Sequence, residues 1–202
     1  QLMAANAKIC KFLHLPIQSG DDGILTRMKR RYTADRLVKT LDETVRLMPQ
    51  VGLGADIITG FPGETLQAFE NTRSLLSAFP FSNLHVFPYS ERPGTPAATF
   101  SGAVPEAERK RRAAVLNRMK TEKRIDFASQ FVGRNVDVLI ERLESNGEAH
   151  GWTGEYVDCR ISGLDPSAVA KLVSCVPHAA EGDQLLARNA RPTVGTDAVQ
   201  SR

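Results

Sequence analysis

The sequence predicts an α/β sheet of parallel strands followed by a small all-β barrel, and three observations carry that expectation. The first is a short apolar run, residues 53–58, that stops in the turn Gly60-Phe61-Pro62-Gly63 and restarts as a helix at Thr65. A partly β-branched run bounded by glycines reads as a buried strand. The second is the alternation of strand-like runs with segments of helical period over residues 1–131, in the order β-α-β-α-β. That order calls for parallel strands joined by crossover helices. The third is a change of texture at Gly133, beyond which short β-rich runs are separated by turn residues.

Taken in order, residues 2–8 read as the end of a helix and 9–15 as a strand ended by Pro16. The polar stretch Gln18-Ser19-Gly20-Asp21-Asp22-Gly23 follows. His14 and Gln18 stand where a ligand could be met or where structural hydrogen bonds are made. Ser19, Asp21 and Asp22 serve equally well as caps for a helix over 24–31. The basic run Lys29-Arg30-Arg31 suits phosphates or a solvated face. Thr33 caps a second helix whose Leu37, Leu41, Val45 and Met48 share one side, and Pro49 ends it. After the central strand, Gly60 and Gly63 let the backbone turn sharply or approach a ligand. Thr65 caps the next helix, and Phe69, Leu76 and Phe79 recur along it.

A strand over 84–87 closes at Pro88 and opens into the loop Tyr89-Ser90-Glu91-Arg92-Pro93-Gly94-Thr95-Pro96. Parallel topology then brings Gln18 and Ser19, Gly60, Gly63 and Glu64, and Tyr89 and Arg92 to one carboxyl edge, where small molecules bind in such folds. Arg92 suits a carboxylate or phosphate, and Tyr89 can stack or donate. Pro105 opens a long basic helix running to about residue 131, its charged side either solvated or facing nucleic acid, its apolar side made by Leu116, Met119, Phe127 and Phe131. Strands over 136–143, 156–161, 171–176 and 184–187 then build the barrel, the first followed by an Asn146-Gly147 turn. Arg134, Arg160, Lys171, Arg188 and Arg191, with His150, Trp152 and Tyr156, offer RNA charges and stacking rings, although Trp152 suits a core equally well. Residues 194–202 read as a disordered tail.

At 202 residues and 42% hydrophobic, the chain can bury a core, and two domains are expected, 1–131 and 132–193. A formal charge of +3 accommodates RNA or phosphate without singling either out. Cys10, Cys159 and Cys175 follow no metal-ligand spacing, so no metal site is expected and all three read as buried free thiols of a cytoplasmic protein. No run approaches the roughly 18 apolar residues of a membrane span. The opening Gln1-Leu2-Met3 reads as a piece cut from a longer protein.

Four motifs stand in sequence: His14-Leu15-Pro16-Ile17-Gln18-Ser19-Gly20, Met28-Lys29-Arg30-Arg31-Tyr32-Thr33, Asp56-Ile57-Ile58-Thr59-Gly60-Phe61-Pro62-Gly63-Glu64-Thr65 and His85-Val86-Phe87-Pro88-Tyr89-Ser90-Glu91-Arg92-Pro93-Gly94-Thr95. Together with the β-rich tail they resemble the radical S-adenosylmethionine (SAM) tRNA methylthiotransferases. Residues 84–90 and 94–98 look most like the branch acting on threonylcarbamoyl-adenosine beside the anticodon. The resemblance implies the second half of a radical SAM partial (βα) barrel over 1–131 and a tRNA-binding TRAM barrel over 132–193. It also implies that Gln18, Ser19, Gly60, Phe61, Gly63 and Glu64 meet SAM, the glycine turn cradling adenine or ribose, and that Tyr89 and Arg92 line the active-site mouth.

Such enzymes use SAM and two 4Fe-4S clusters. Their cysteines are expected upstream of Gln1, since Cys10, Cys159 and Cys175 match neither set. This piece is therefore expected to hold no catalytic residue, to be inactive alone, to expose a strand edge, and to partner the anticodon arm, SAM and the amino-terminal part of the same protein. Two rivals stand beside it: an RNA-binding module without catalysis, and an unrelated α/β-barrel enzyme using Glu64 or His14 in acid-base roles.

Overall fold

The computed structural model describes residues 1–188 and 190–193, so the expected tail over 194–202 lies outside the described residues. The described residues divide into two compact units, one of Gln1 and Leu13–Lys123, the other of Leu2–Phe12 and the described residues from Arg124 onward.

A single helical turn, α1 (Leu2–Ala5), precedes the strand β1 (Phe12–Gln18). Pro16 lies inside β1 instead of ending it. The strand is at the edge of a three-stranded sheet ordered β1-β2-β3, where a missing N–H costs no ladder bond on the open side. The helix α2 (Asp22–Arg27) starts at Asp21, whose carboxylate accepts from the Ile24 N–H at 3.0 Å. Asp21 also accepts from Asn71, and Asp22 accepts from the Ala34 N–H at 2.7 Å. Tyr32 ties the basic segment to the sheet by donating to the Pro16 carbonyl. The helix α3 (Ala34–Leu47) is capped by Thr33, as its spacing predicts.

The strand β2 (Gly52–Thr59), the helix α4 (Leu66–Ala78, capped by Thr65) and the strand β3 (Phe81–Pro88) complete the motif, and β2 and β3 pair in parallel. Alternation divides the sheet's two faces. Ile17, Leu53, Ala55, Ile57 and Leu84 are fully buried on one, and Leu41, Phe69, Leu76 and Leu116 of the helices are buried as well. The other carries His14, Asp56 and His85 and the exposed Pro16 and Phe87.

The long helix α5 (Glu106–Ser129) has Glu106 and Glu108 in its first turn, where the helix dipole favours anions. Its Lys123 donates to the Ser77 and Phe79 carbonyls, capping the end of α4. Because α5 runs unbroken to Ser129, the units divide at Lys123 and Arg124 within it, upstream of the change in sequence texture at Gly133.

The second unit is a curled seven-stranded sheet ordered β10-β7-β4-β5-β6-β9-β8. Its strands are β4 (Val136–Leu143), β5 (Glu148–Thr153), β6 (Asp158–Ser162), β7 (Leu172–Cys175), β8 (Ala179–Glu181), β9 (Gln184–Arg188) and β10 (Arg191–Pro192). All neighbours pair antiparallel except β6 with β9. Inward residues such as Val138, Ile140, Ala149, Cys159, Ile161 and Leu185 join Phe127, Ala128 and Phe131 in one core. Sequence periodicity missed β5, β8 and β10. The first has Gly151 and Trp152 in place of a β-branched run, and the other two are three and two residues long. Among the described residues no helix is long and apolar enough to cross a membrane.

Candidate functional site

The three strands of the first unit end at Gln18, Thr59 and Pro88, and the Tyr89 N–H donates to the Thr59 carbonyl at 2.8 Å. Gln18 is buried with φ of 66°. Ser19, wholly buried, bonds the Thr72 hydroxyl at 3.2 Å, and the Gly20 N–H donates to the same oxygen at 2.9 Å. A Cβ on Gly20 would lie 2.8 Å from the Thr72 Cα, which explains glycine there. The stretch after β1 is thus held against α4, with Ser19 turned into the protein.

The turn after β2 is bonded within itself, to Arg27, which donates to the Pro62 carbonyl at 3.0 Å, and to Arg112. Gly60 and Gly63 have φ of 72° and 88°, a left-handed backbone that glycine adopts without strain. The Gly60 N–H donates to Glu64 Oε2 at 2.7 Å, and the Gly63 N–H donates to the Gly102 carbonyl at 2.7 Å. Glu64 is buried and paired with Arg112 at 2.7 Å. Burial pushes its carboxyl above the usual range, against the lowering effect of the Arg112 bond. Arg112 also donates to the Glu64 carbonyl and to Glu108 and lies over the Phe69 ring. Glu108, holding both Arg111 and Arg112, is drawn down to about 2. Phe61 is buried edge-on to Tyr89, with ring centres 5.2 Å apart, and packs on Phe100.

Arg109 performs the matching task after β3. It donates to the Val104 carbonyl at 2.6 Å and the Tyr89 carbonyl at 3.1 Å, pairs with Glu91 and lies over the Tyr89 ring. The basic helix therefore turns two arginines inward, a use that composition did not suggest. Arg92 is exposed, whereas the Tyr89 hydroxyl is buried with no hydrogen-bond partner among the described residues. Beside it opens a cleft of about 590 Å³, lined by Pro88, Tyr89, Ser90 and Glu91 and by Glu106, Arg109 and Lys110.

One constellation escaped sequence reasoning. His14, Asp56 and His85 meet on the open sheet face, with Asp56 Oδ1 3.0 Å from His14 Nε2 and 3.3 Å from His85 Nδ1. The signal was present as spacing: each precedes by four residues one of the strand-end positions Gln18, Gly60 and Tyr89.

On the second unit, Arg134, Lys171, Arg188 and Arg191 are exposed, whereas Arg160 is held by Glu181 at 2.8 Å and Glu148 at 3.7 Å. Arg160 and Arg188 lie on the neighbouring strands β6 and β9, while Lys171 immediately precedes β7 and Arg191 lies on β10, at the other end of the strand order. Trp152 is an outward ring, donating to Glu141 and stacked on Tyr156 at 4.6 Å, which in turn stacks on Phe12 at 4.7 Å.

The family model described as the Radical SAM superfamily matches residues 1–76. The chain is 43% identical over 150 residues to the threonylcarbamoyladenosine tRNA methylthiotransferase MtaB of Rickettsia prowazekii, covering 74% of this chain and 35% of that protein. It is 33% identical over 190 residues to the protein of the same name from Thermotoga maritima, covering 88% and 43%. It is 40% identical over 133 residues to the tRNA-2-methylthio-N(6)-dimethylallyladenosine synthase of Anaplasma phagocytophilum, covering 66% and 30%. The chain thus spans less than half the length of these curated relatives.

Proposed function

We propose, for a chain that belongs with the radical SAM tRNA methylthiotransferases, that its first unit forms part of the SAM edge of such an enzyme and its second docks the anticodon arm of tRNA. The methylthiolated nucleoside in this reading is threonylcarbamoyl-adenosine, and the protein is cytoplasmic. The observation that carries it is the relationship to the Thermotoga protein, whose 190 aligned residues are too many to lie within either unit alone.

In this reading the strand ends carry SAM. Tyr89 supplies the hydroxyl that lacks a partner, and Arg92 reaches the mouth from an exposed position. The Gly60 and Gly63 amides are already bonded and the space beside each glycine is filled by Arg109 or Arg27, so the turn contributes shape by fixing Phe61 against Tyr89, with adenine or ribose placed alongside it. Gln18 and Ser19 set the path of the neighbouring segment. The stacked Trp152 and Tyr156 and the exposed Arg134, Lys171, Arg188 and Arg191 supply ring faces and charge for RNA, with Arg160 contributing only if its carboxylates release it.

The iron-sulfur clusters of the family do not fit the thiols of this chain. Cys159 and Cys175 are buried together in the core of the second unit, as expected, whereas Cys10, expected to be buried, is exposed in the short segment ahead of β1. The 202 residues by themselves are proposed to be inactive. A second reading, an RNA-binding module without catalysis, is favoured by the exposed Arg134, Lys171, Arg188 and Arg191 and by the stacked Trp152 and Tyr156.

Binding measurements on the 202-residue chain separate these readings. Four phosphate contacts, at a slope of about −0.9 each, weaken tRNA binding roughly 10²-fold between about 50 and about 200 mM salt. Salt-insensitive or absent tRNA binding refutes the docking role. SAM binding that is lost in Gly60→Val supports the enzyme reading, and tRNA binding without any SAM binding supports the module.

A further inference from the structure

We propose that His14, Asp56 and His85 form a divalent transition-metal site, of the Zn²⁺, Co²⁺ or Fe²⁺ class, on the open face of the three-stranded sheet. The inference is independent of the tRNA and SAM assignments. Its first support is geometric. The three residues occupy β1, β2 and β3, and Asp56 is directly paired with His85 across the parallel ladder. A tetrahedral ion with bonds of about 2.0–2.2 Å sets its ligand atoms about 3.3–3.6 Å apart. The two contacts of Asp56 Oδ1 are 3.0 and 3.3 Å, and all three ligand atoms lie within 4.8 Å of one another. Small side-chain adjustments on a rigid sheet suffice to admit the ion.

The second support is the donor set. Two imidazoles and a carboxylate suit zinc, cobalt and ferrous iron, whereas magnesium and calcium prefer oxygen alone. Side-chain exposures of 31%, 32% and 46% for His14, Asp56 and His85 leave the remaining coordination positions to water or a ligand. The third is an outer partner. Asn83 Nδ2 lies 3.3 Å from His85 Nε2. Turned about its last torsion, the amide presents oxygen there and accepts the Nε2–H that His85 carries when Nδ1 binds metal. Phe87, edge-on to His85 at 6.4 Å, supplies an apolar wall.

The test is equilibrium dialysis of the untagged 202-residue chain against Zn²⁺, with a Co²⁺ spectrum and proton NMR in parallel. One equivalent of Zn²⁺ is expected, not displaced by Mg²⁺ and bound with proton release. Co²⁺ should shift the imidazole resonances of His14 and His85, a readout that needs no variant. His14→Gln, Asp56→Asn and His85→Gln should each weaken binding about 100-fold or more, and Asn83→Ala about 10-fold, the effect of an outer partner. The proposal is overturned by absent retention, by unshifted His14 and His85 resonances, by equal affinity in the three ligand variants, or by a sulfur-to-cobalt charge-transfer band marking a cysteine ligand.

Discussion

Two arginines of α5 decide more than their neighbours do. Arg112 sits beside a carboxylate that is almost wholly buried, so its removal leaves Glu64 charged and unpaired or forces it to take up a proton. Arg112→Met should cost about 3–5 kcal/mol in urea unfolding, with part of the loss recovered in the Glu64→Gln, Arg112→Met double variant. Glu108 gives the pH dependence. Its carboxyl titrates near 2 in the folded protein against 4.5 ordinarily, so its stabilising contribution is complete above about pH 4.5 and is lost as pH falls toward 2. Glu108→Gln should flatten that part of a pH series of melting temperatures. Neither arginine stood out in the sequence, where a run of like charges looks the same whether it faces water or a turn 48 residues upstream. Composition carries no directional information, and only the phase of α5 relative to the sheet selects Arg109 and Arg112.

At the scale of elements, legibility followed periodicity and capping. Thr33 and Thr65 cap α3 and α4 as their positions predict, since side-chain caps act within four residues. Pro16 misled, because a proline ends a strand only where its N–H is needed, and the edge position of β1 is known only from the assembled sheet. The strand β5 was missed for a related reason. Gly151 lowers its strand signal, yet a Cβ there would lie 2.2 Å from the Leu139 carbonyl oxygen on β4. Gly151→Ala should therefore destabilise the second unit by about 1–3 kcal/mol or more, read as a lower melting temperature. The polar row on the open sheet face needed both phase and register. Each of its members looks ordinary within its own motif.

Over the whole chain, the two compact units divide at Lys123 and Arg124 inside α5, a point that a change of sequence texture cannot mark because the helix continues through it. The cysteines offer a measurement that distinguishes local from complete opening. Cys10 is exposed, while Cys159 and Cys175 share the second unit's core. The Cys159 thiol is pushed well above its usual range, first by the bond to Cys175 and then by burial, while that same bond lowers Cys175. A thiol reagent should label one site per chain under native conditions and all three only in denaturant. Two or more fast native sites would contradict the packing of that core. The clamp from Arg112 onto Glu64 has a consequence for engineering as well. The ten-residue segment from Asp56 to Thr65 is not a portable cassette. Grafted into a scaffold without a guanidinium delivered from a distant helix, it would keep its letters and lose its shape, and a search for look-alikes by that string alone would retrieve loops of other conformations.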